Sequence, residues 1–213
     1  MQITHLGHAA VLLEVADRRI LIDPGSFSDD WHTLTDLDAV LVTHQHPDHI
    51  DPQHVPPLLA ANPGARVLVE PQVLESIDLP GAERITNDTS VDLGPVTVSA
   101  VGGLHAVIHA DIPQIGNVGL VVHASGEPVF FHPGDSLTAI PQGIDVVAIP
   151  AYGPWAAMKE TIEFVRQVAA PQGFLIHQGL LNQRGEALIA GRVPQLTATT
   201  LQELTAGEPW SVA

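Results

Sequence analysis

The run Thr43-His44-Gln45-His46-Pro47-Asp48-His49 places the strongest condition on how this chain can fold. Three histidines and one aspartate fall within six positions, directly after the apolar run Ala39-Val40-Leu41-Val42. The pattern is that of a strand emptying into a loop of metal-ligand side chains, since neutral imidazole and carboxylate are the donors that zinc and its neighbours take. With only 12 His in 213 residues, such clustering argues for a metal site over a solvated polar loop. The histidines alternate with other residues and lie inside the chain, which separates them from a terminal tag.

The same arrangement recurs along the chain. Asp23 follows Ile20-Leu21-Ile22, and His44 follows Leu41-Val42. His105 comes after an apolar run ending near Val101, Asp135 after Val129-Phe130-Phe131, and His177 after Phe174-Leu175-Ile176. Side chains at strand ends converge on one edge of a sheet, where a rigid scaffold positions them. Five such positions around a histidine loop are hard to explain as packing.

Apolar periodicity and turn residues predict strands at 9–15, 20–22, 39–42, 66–69, 91–93, 96–101, 118–123, 129–132, 146–149 and 174–176. Three hairpins are expected: about Ala16-Asp17-Arg18, Gly94-Pro95 and Gly126-Glu127-Pro128. Val146-Val147-Ala148-Ile149 is a continuous apolar run, hence a strand buried on both faces. Helices are expected at 51–61, with Asp51 as N-cap and Pro52 in its first turn, and at 71–77. A helix at 159–169 puts Ile162, Val165, Val168 and Ala169 on one face, and a last helix is expected at 196–204. Strands and helices alternate in both halves, a pattern that two mixed sheets face to face with helices outside would accommodate.

Charge narrows the partners. Lys and Arg number 8 against 24 Asp and Glu, a net charge of −16. Nucleic-acid affinity rests on Lys and Arg displacing condensed counterions, so neither polymeric nucleic acid nor an anionic membrane surface is an expected partner. No cysteine is present, so thiolate sites and disulfides are excluded and any metal must be held by His, Asp and Glu. No apolar window approaches a membrane span. Met1-Gln2-Ile3-Thr4-His5 shows no secretory pattern, and the expected location is the cytoplasm. The length and a 45% hydrophobic content fit a single domain over 1–213.

Together, His44-x-His46-x-Asp48-His49, the distant His105, the Gly134-Asp135 pair and the final His177 resemble the metallo-β-lactamase-fold hydrolases. The opening His5-Leu6-Gly7-His8-Ala9-Ala10-Val11-Leu12-Leu13-Glu14 and the stop Leu21-Ile22-Asp23-Pro24-Gly25 are similar to that family as well. The likeness points particularly to small members that include ascorbate-6-phosphate lactonase-like proteins, with Pro150 followed by Met158 before a helix as a weaker shared feature. It covers nearly the whole chain, and the ligand set is specific for the superfamily but weak for any one substrate.

The resemblance implies an α+β fold, a four-layer αββα sandwich of two mixed sheets flanked by helices, with a two-metal site at its edge. By motif position His44, His46 and His105 would bind the first ion, Asp48, His49 and His177 the second, and Asp135 would bridge them. Two divalent ions are expected, zinc first, with Mn²⁺ or Fe²⁺ as alternatives that ligand type does not separate. A hydroxide shared by the ions would attack an ester, lactone or phosphodiester of a small soluble substrate, with Asp48 and Asp135 orienting it. A mononuclear iron redox enzyme and a catalytically silent scaffold are the competing readings. A missing ligand would signal either one, and the set is complete.

Other residues carry two readings each. Asp23 is expected to accept a hydrogen bond from a ligating ring, with turn capping as the alternative. His8 either lines the pocket or donates a proton there, or is a buried, hydrogen-bonded strand histidine. His109 competes with His105 for the first ion. With His105 preferred, His109 becomes a pocket residue serving as general acid or substrate contact. His132 is expected to be structural, and His5, His32, His54 and His123 to lie at the surface or an edge. Tyr152, Trp155 and Met158 fall where the family places a substrate-proximal loop, though packing is the commoner role for such residues. Lys159 and Arg184 are weak anchors for an anionic substrate, residues 179–193 match no pattern, and a homo-oligomer is left open.

Overall fold

The computed structural model describes residues 1–212. The chain opens with β1 (Gln2–His5), β2 (Val11–Val15), β3 (Arg18–Ile22) and β4 (Ala39–Val42). Helix α1 (Val55–Ala61), β5 (Arg66–Val69), α2 (Val73–Ser76) and β6 (Glu83–Arg84) complete the first half. The second half runs β7 (Ser90–Leu93), β8 (Val96–Val101), β9 (Gly119–Ala124), β10 (Phe130–His132), β11 (Val146–Pro150), α3 (Met158–Val168) and β12 (Gln172–Ile176). It closes with α4 (Gln183–Leu196), β13 (Thr200–Leu201) and β14 (Pro209–Ser211).

The strands form two seven-stranded sheets, ordered β14-β1-β2-β3-β4-β5-β6 and β13-β12-β11-β10-β9-β8-β7. Each is antiparallel on one side and parallel on the other: β3, β4, β5 and β6 run parallel in the first, β10 to β13 in the second. Parallel neighbours end on the same edge, and the loops leaving β3, β4, β10 and β12 carry Asp23, His44, Asp135 and His177.

Strand alternation explains the layers. In β2 and β3, Val11, Leu13, Ile20 and Ile22 face the core between the sheets, while Leu12 and Leu21 face outward under α1 and α2. In β11, Val146 and Ala148 face the central core, and Val147 and Ile149 face α3 and α4. A strand buried on both faces reads as an unbroken apolar run because neither set of side chains meets water. Three apolar layers thus separate helix, sheet, sheet and helix, which is the expected αββα sandwich.

Several expectations are corrected. Helix α1 starts at Val55 with His54 as N-cap and Pro56 in its first turn. Asp51 does not cap it, because its carboxylate is turned onto Gln53 N and His54 Nδ1. Ala169 is not on the buried face of α3. It ends the helix with φ 54°, and Phe164 and Thr161 join Ile162, Val165 and Val168 inside. The last helix is α4, not 196–204. Its Gly185, Gly191 and Pro194 weaken the helical signal, yet Asn182 caps it by accepting from Arg184 N and Gly185 N, and Ile189 and Val193 are buried. Thr200 and Leu201 instead pair in parallel with Gln172 and Gly173. Among the described residues no helix is long and apolar enough to cross a membrane.

Candidate metal centre

The centre is built outward from Asp23. This fully buried carboxylate accepts from Thr43 N (2.8 Å), Thr43 Oγ1 (2.7 Å) and His49 Nδ1 (2.7 Å). It therefore ties the end of β3 to the loop after β4 and fixes the tautomer of His49, whose Nε2 is left bare. Thr43 Oγ1, having given its proton to Asp23, accepts from His44 Nδ1 at 3.0 Å, so His44 also presents a bare Nε2. Its Nε2 lies 3.1 Å from His46 Nδ1.

The rings brought in from other loops are held the same way. His105 Nδ1 donates to Ala106 O at 2.6 Å and His177 Nδ1 to Tyr152 O at 2.5 Å. Both therefore turn Nε2 inward, to 3.3 and 3.1 Å from Asp135 Oδ2. His49 Nε2 lies 3.1 Å from Asp135 Oδ1, close but not aligned as a hydrogen bond. Four buried atoms converge here without a hydrogen-bond partner: His49 Nε2, His105 Nε2, His177 Nε2 and Asp135 Oδ1.

Two groups of ligand-type atoms result. One comprises His44, His46, His105 and Asp135, the other His8, Asp48, His49 and His177, with the atoms of each group within 4.8 Å of one another. Asp135 reaches toward both groups. Its loop is placed by Gly134 (φ +60°), where a Cβ would collide with Asn117 Oδ1 and Thr43, and Asn117 Oδ1 accepts from Asp135 N at 2.9 Å.

His8 is resolved by its partners. Its Nδ1 accepts from Gly179 N (3.1 Å), so Nε2 carries the proton and donates to Asp48 Oδ2 (3.1 Å). It orients a carboxylate instead of offering a lone pair. His8, Asp23 and His177 all hold positive φ, at 48°, 49° and 60°, a conformation non-glycine residues adopt at a cost and that clusters at functional sites.

Burial and charge set opposite protonation tendencies. Burial, with the neighbouring histidines, pushes His44 and His46 down. Burial also pushes His8 down, against its bond to Asp48. For His49 burial is outweighed by the carboxylates of Asp135 and Asp23, which raise it well above the usual imidazole value. For His177 burial is likewise outweighed, by the carboxylates of Asp135 and Asp48 at 3.1 and 3.4 Å from its Nε2, and its pKa rises to about 9. Burial would raise Asp48 and Asp135, yet their histidine partners hold both well below the usual carboxylate range.

All seven ligand candidates from the sequence lie in this cluster. His109 does not: it is exposed on the loop beyond His105 and faces Asp111 Oδ2 at 3.6 Å. Its Nδ1 accepts from Asp111 N at 3.1 Å, and it belongs to neither ligand group. His132 is buried between strands, bonded to Ala9 O and Gly134 N. His5 is buried and bonds to His8 O, against the surface position expected for it, because its ring packs against Phe174 and Gln178 of the other sheet's end. His123 is exposed, Met158 packs against the α3 layer, and Lys159 and Arg184 are exposed in the first turns of α3 and α4. Trp155 is the residue whose role the sequence underweighted. Its Nε1 donates to Asp135 Oδ2 at 3.0 Å, and its ring lies 5.9 Å from His105 and 6.0 Å from His177.

A family model described as Beta-lactamase superfamily domain matches residues 2–173. Protein Rv0786c of Mycobacterium tuberculosis is 40% identical over 205 residues, 96% of each chain. A UPF0173 metal-dependent hydrolase of Aeropyrum pernix is 31% identical over 154 residues, 63% of this chain and 61% of that protein. The metallo-beta-lactamase fold protein YhfI of Bacillus subtilis superposes with a TM-score of 0.75, covering 98% of both chains at 15% identity.

Proposed function

The chain belongs to the beta-lactamase superfamily domain family, and from that membership we propose a metal-dependent hydrolase that uses two divalent ions, zinc in the first instance, on an uncharged acyl substrate. The carrying observation is the set of four converging, unpartnered atoms on His49, His105, His177 and Asp135. Leaving such groups buried and unsatisfied costs about 1–3 kcal/mol each, a cost that bound cations remove.

On this reading His44, His46 and His105 would hold one ion, Asp48, His49 and His177 the other, and Asp135 would serve both. When bound, the ions supply a Lewis acid for the substrate oxygen and a water acidified toward neutral pH. Asp23 and Asp48 add negative charge that makes two divalent cations tolerable in a buried site. His8 holds Asp48 in place, and Trp155 holds Asp135 through its single indole N–H. His109 is given no part.

The rim supports this substrate class. Phe27 packs on the His8 ring at 4.8 Å. Leu104 and Val107 flank His105, Tyr152 carries the carbonyl that fixes His177, and Leu180 follows in the same loop. All five are exposed apolar or aromatic side chains. Loops 23–32, 44–54, 102–117, 133–139, 151–157 and 177–182 contain no Lys or Arg. Phosphoryl groups are recognised through such cations, so a carboxylic ester or lactone with an apolar body suits this mouth better than a phosphodiester.

The test is a rate comparison of zinc-loaded protein on aryl esters, lactones and bis(p-nitrophenyl) phosphate, with zinc counted in parallel. Ester or lactone turnover, abolished in His44→Ala/His49→Ala together with the loss of two zinc ions per chain, is expected. Preferred phosphodiester cleavage would overturn the substrate class. One iron per chain with no hydrolysis would favour the redox reading, and no bound metal the scaffold.

A further inference from the structure

We propose a third metal site, separate from the centre above, formed by His32, Asp51 and His54 and suited to a divalent ion of the zinc type. Ligand atoms of these three residues lie within 4.8 Å of one another. Around a tetrahedral ion with bonds of about 2.0–2.1 Å, ligand atoms stand about 3.3–3.4 Å apart. Closure therefore draws the ligand atoms together by up to about 1.4 Å, a shift within reach of side-chain rotation.

The local arrangement is built. Asp51 is buried, with its backbone N bonded to Pro24 O and one carboxylate oxygen accepting Gln53 N at 2.8 Å. Its other oxygen meets His54 Nδ1 at 2.6 Å. The rings of His32 and His54 are stacked 4.0 Å apart at 19°, which sets their edges side by side. Beneath them the fully buried Trp31 is anchored by Nε1 to Gly25 O and lies edge-on to His32 at 4.4 Å. His32 Nε2 is itself buried and has no hydrogen-bond partner. The Asp51–His54 pair explains two of the three residues as an ordinary ion pair, but it leaves that nitrogen unaccounted for. A cation on the three residues accounts for all of them.

Two imidazoles and one carboxylate select a borderline transition ion over magnesium or calcium, which prefer all-oxygen sites. His54 is partly exposed, leaving the open side to water. The ligands come from two segments. Residues 23–32 begin at Asp23, and residues 44–54 carry His44 to His49. The segments already touch where Gly25 packs so tightly on the Asp48 carbonyl that no Cβ would fit. An ion on His32, Asp51 and His54 clamps one segment to the other behind the hydrolytic centre.

The experiment uses the full chain carrying His44→Ala/His49→Ala, stripped with chelator and titrated with Zn²⁺ alone, reading bound zinc by native mass spectrometry and Tm by calorimetry. Expected is one tightly bound zinc with a Tm rise of several degrees, both lost on adding His32→Ala. Adding Asp51→Asn in a separate chain serves if His32→Ala fails to fold. Zinc binding and Tm unchanged by either addition, or no zinc in the starting variant, would overturn the proposal. Failure of the two-ion reading shows differently, as undiminished zinc in His44→Ala/His49→Ala relative to wild type, with the effect of His32→Ala still measurable.

Discussion

The Trp155 indole N–H donates to Asp135 Oδ2 across 3.0 Å, with its ring edge-on to both His105 and His177. One side chain from the loop ahead of α3 thus touches the carboxylate that reaches both ligand groups. A hydrogen bond to a charged group contributes about 1.5–3 kcal/mol. Trp155→Phe keeps the ring and removes the donor, so kcat should fall about ten- to hundredfold with bound zinc unchanged. A loss of zinc at constant kcat per loaded site would show that the indole serves only to hold Asp135.

Asp23 touches no inward-facing ligand atom, yet it fixes His49 through Nδ1 and holds Thr43, which fixes His44. Partners of this kind contribute about 10–100-fold to metal affinity. Asp23→Asn should weaken zinc binding by about that factor, measured by competition with a chromophoric chelator. Unaltered affinity would reduce Asp23 to a turn residue before Pro24.

What the sequence made legible, and what it hid, divides along physical lines. The histidine loop and the strand-end ligands stood out because ligand chemistry is local: His44, His46, Asp48 and His49 share one loop, Asp135 comes four residues after Phe131, and His177 directly follows Ile176. The double burial of β4 and β11 showed as unbroken apolar sequence. By contrast, β1 and β14 owe their pairing to each other across most of the chain, a long-range contact that no window contains. Contacts equally distant in sequence, with Phe174 and Gln178, buried His5. Helix α4 was masked by Gly185, Gly191 and Pro194, because its stability comes from an Asn182 cap and two buried residues instead of propensity. His109 falls outside both ligand groups, because distance along the chain from a ligand says nothing about which way a loop turns. Trp155 was underweighted because an aromatic in a loop has no signature until its N–H partner is known.

Protonation gives a prediction with a definite sign. In the metal-free protein His177 carries its proton up to about pH 9, held there by Asp135 and Asp48 against the effect of burial, and His49 is raised in the same direction. A ligating imidazole must be neutral, so zinc has to displace these protons. At pH 7.5 binding should release at least one proton per chain, seen calorimetrically in buffers of different ionisation enthalpy. Apparent affinity should climb between about pH 6.5 and 9 and then level off. An affinity independent of pH over that window would mean that the rings are already neutral.

Gly134 gives the last prediction, at the one position where backbone conformation and close packing coincide with the centre. Its φ of +60° lies in the region that L side chains avoid, at a cost of roughly 1–2 kcal/mol, and a Cβ there would press on Asn117 Oδ1 and Thr43. Those neighbours are not free to yield. Asn117 Oδ1 accepts from Asp135 N, Asn117 Nδ2 donates to Pro133 O, and Thr43 links Asp23 to His44. Gly134→Ala should therefore act twice, lowering Tm through backbone strain and lowering zinc content by moving Asp135 away from the facing histidines. At about 2–4 °C per kcal/mol for a chain of this size, strain and crowding together should cost roughly 4–10 °C in a melt of metal-free protein, where no ligand effect contributes. Gly81→Ala, at a φ of +82° with nothing within 4 Å of its Cβ, is the control. It carries the backbone strain without the collision and should leave zinc content intact. Equal zinc loss in both variants would show that zinc content tracks overall stability, and not contact of position 134 with Asn117 and Thr43.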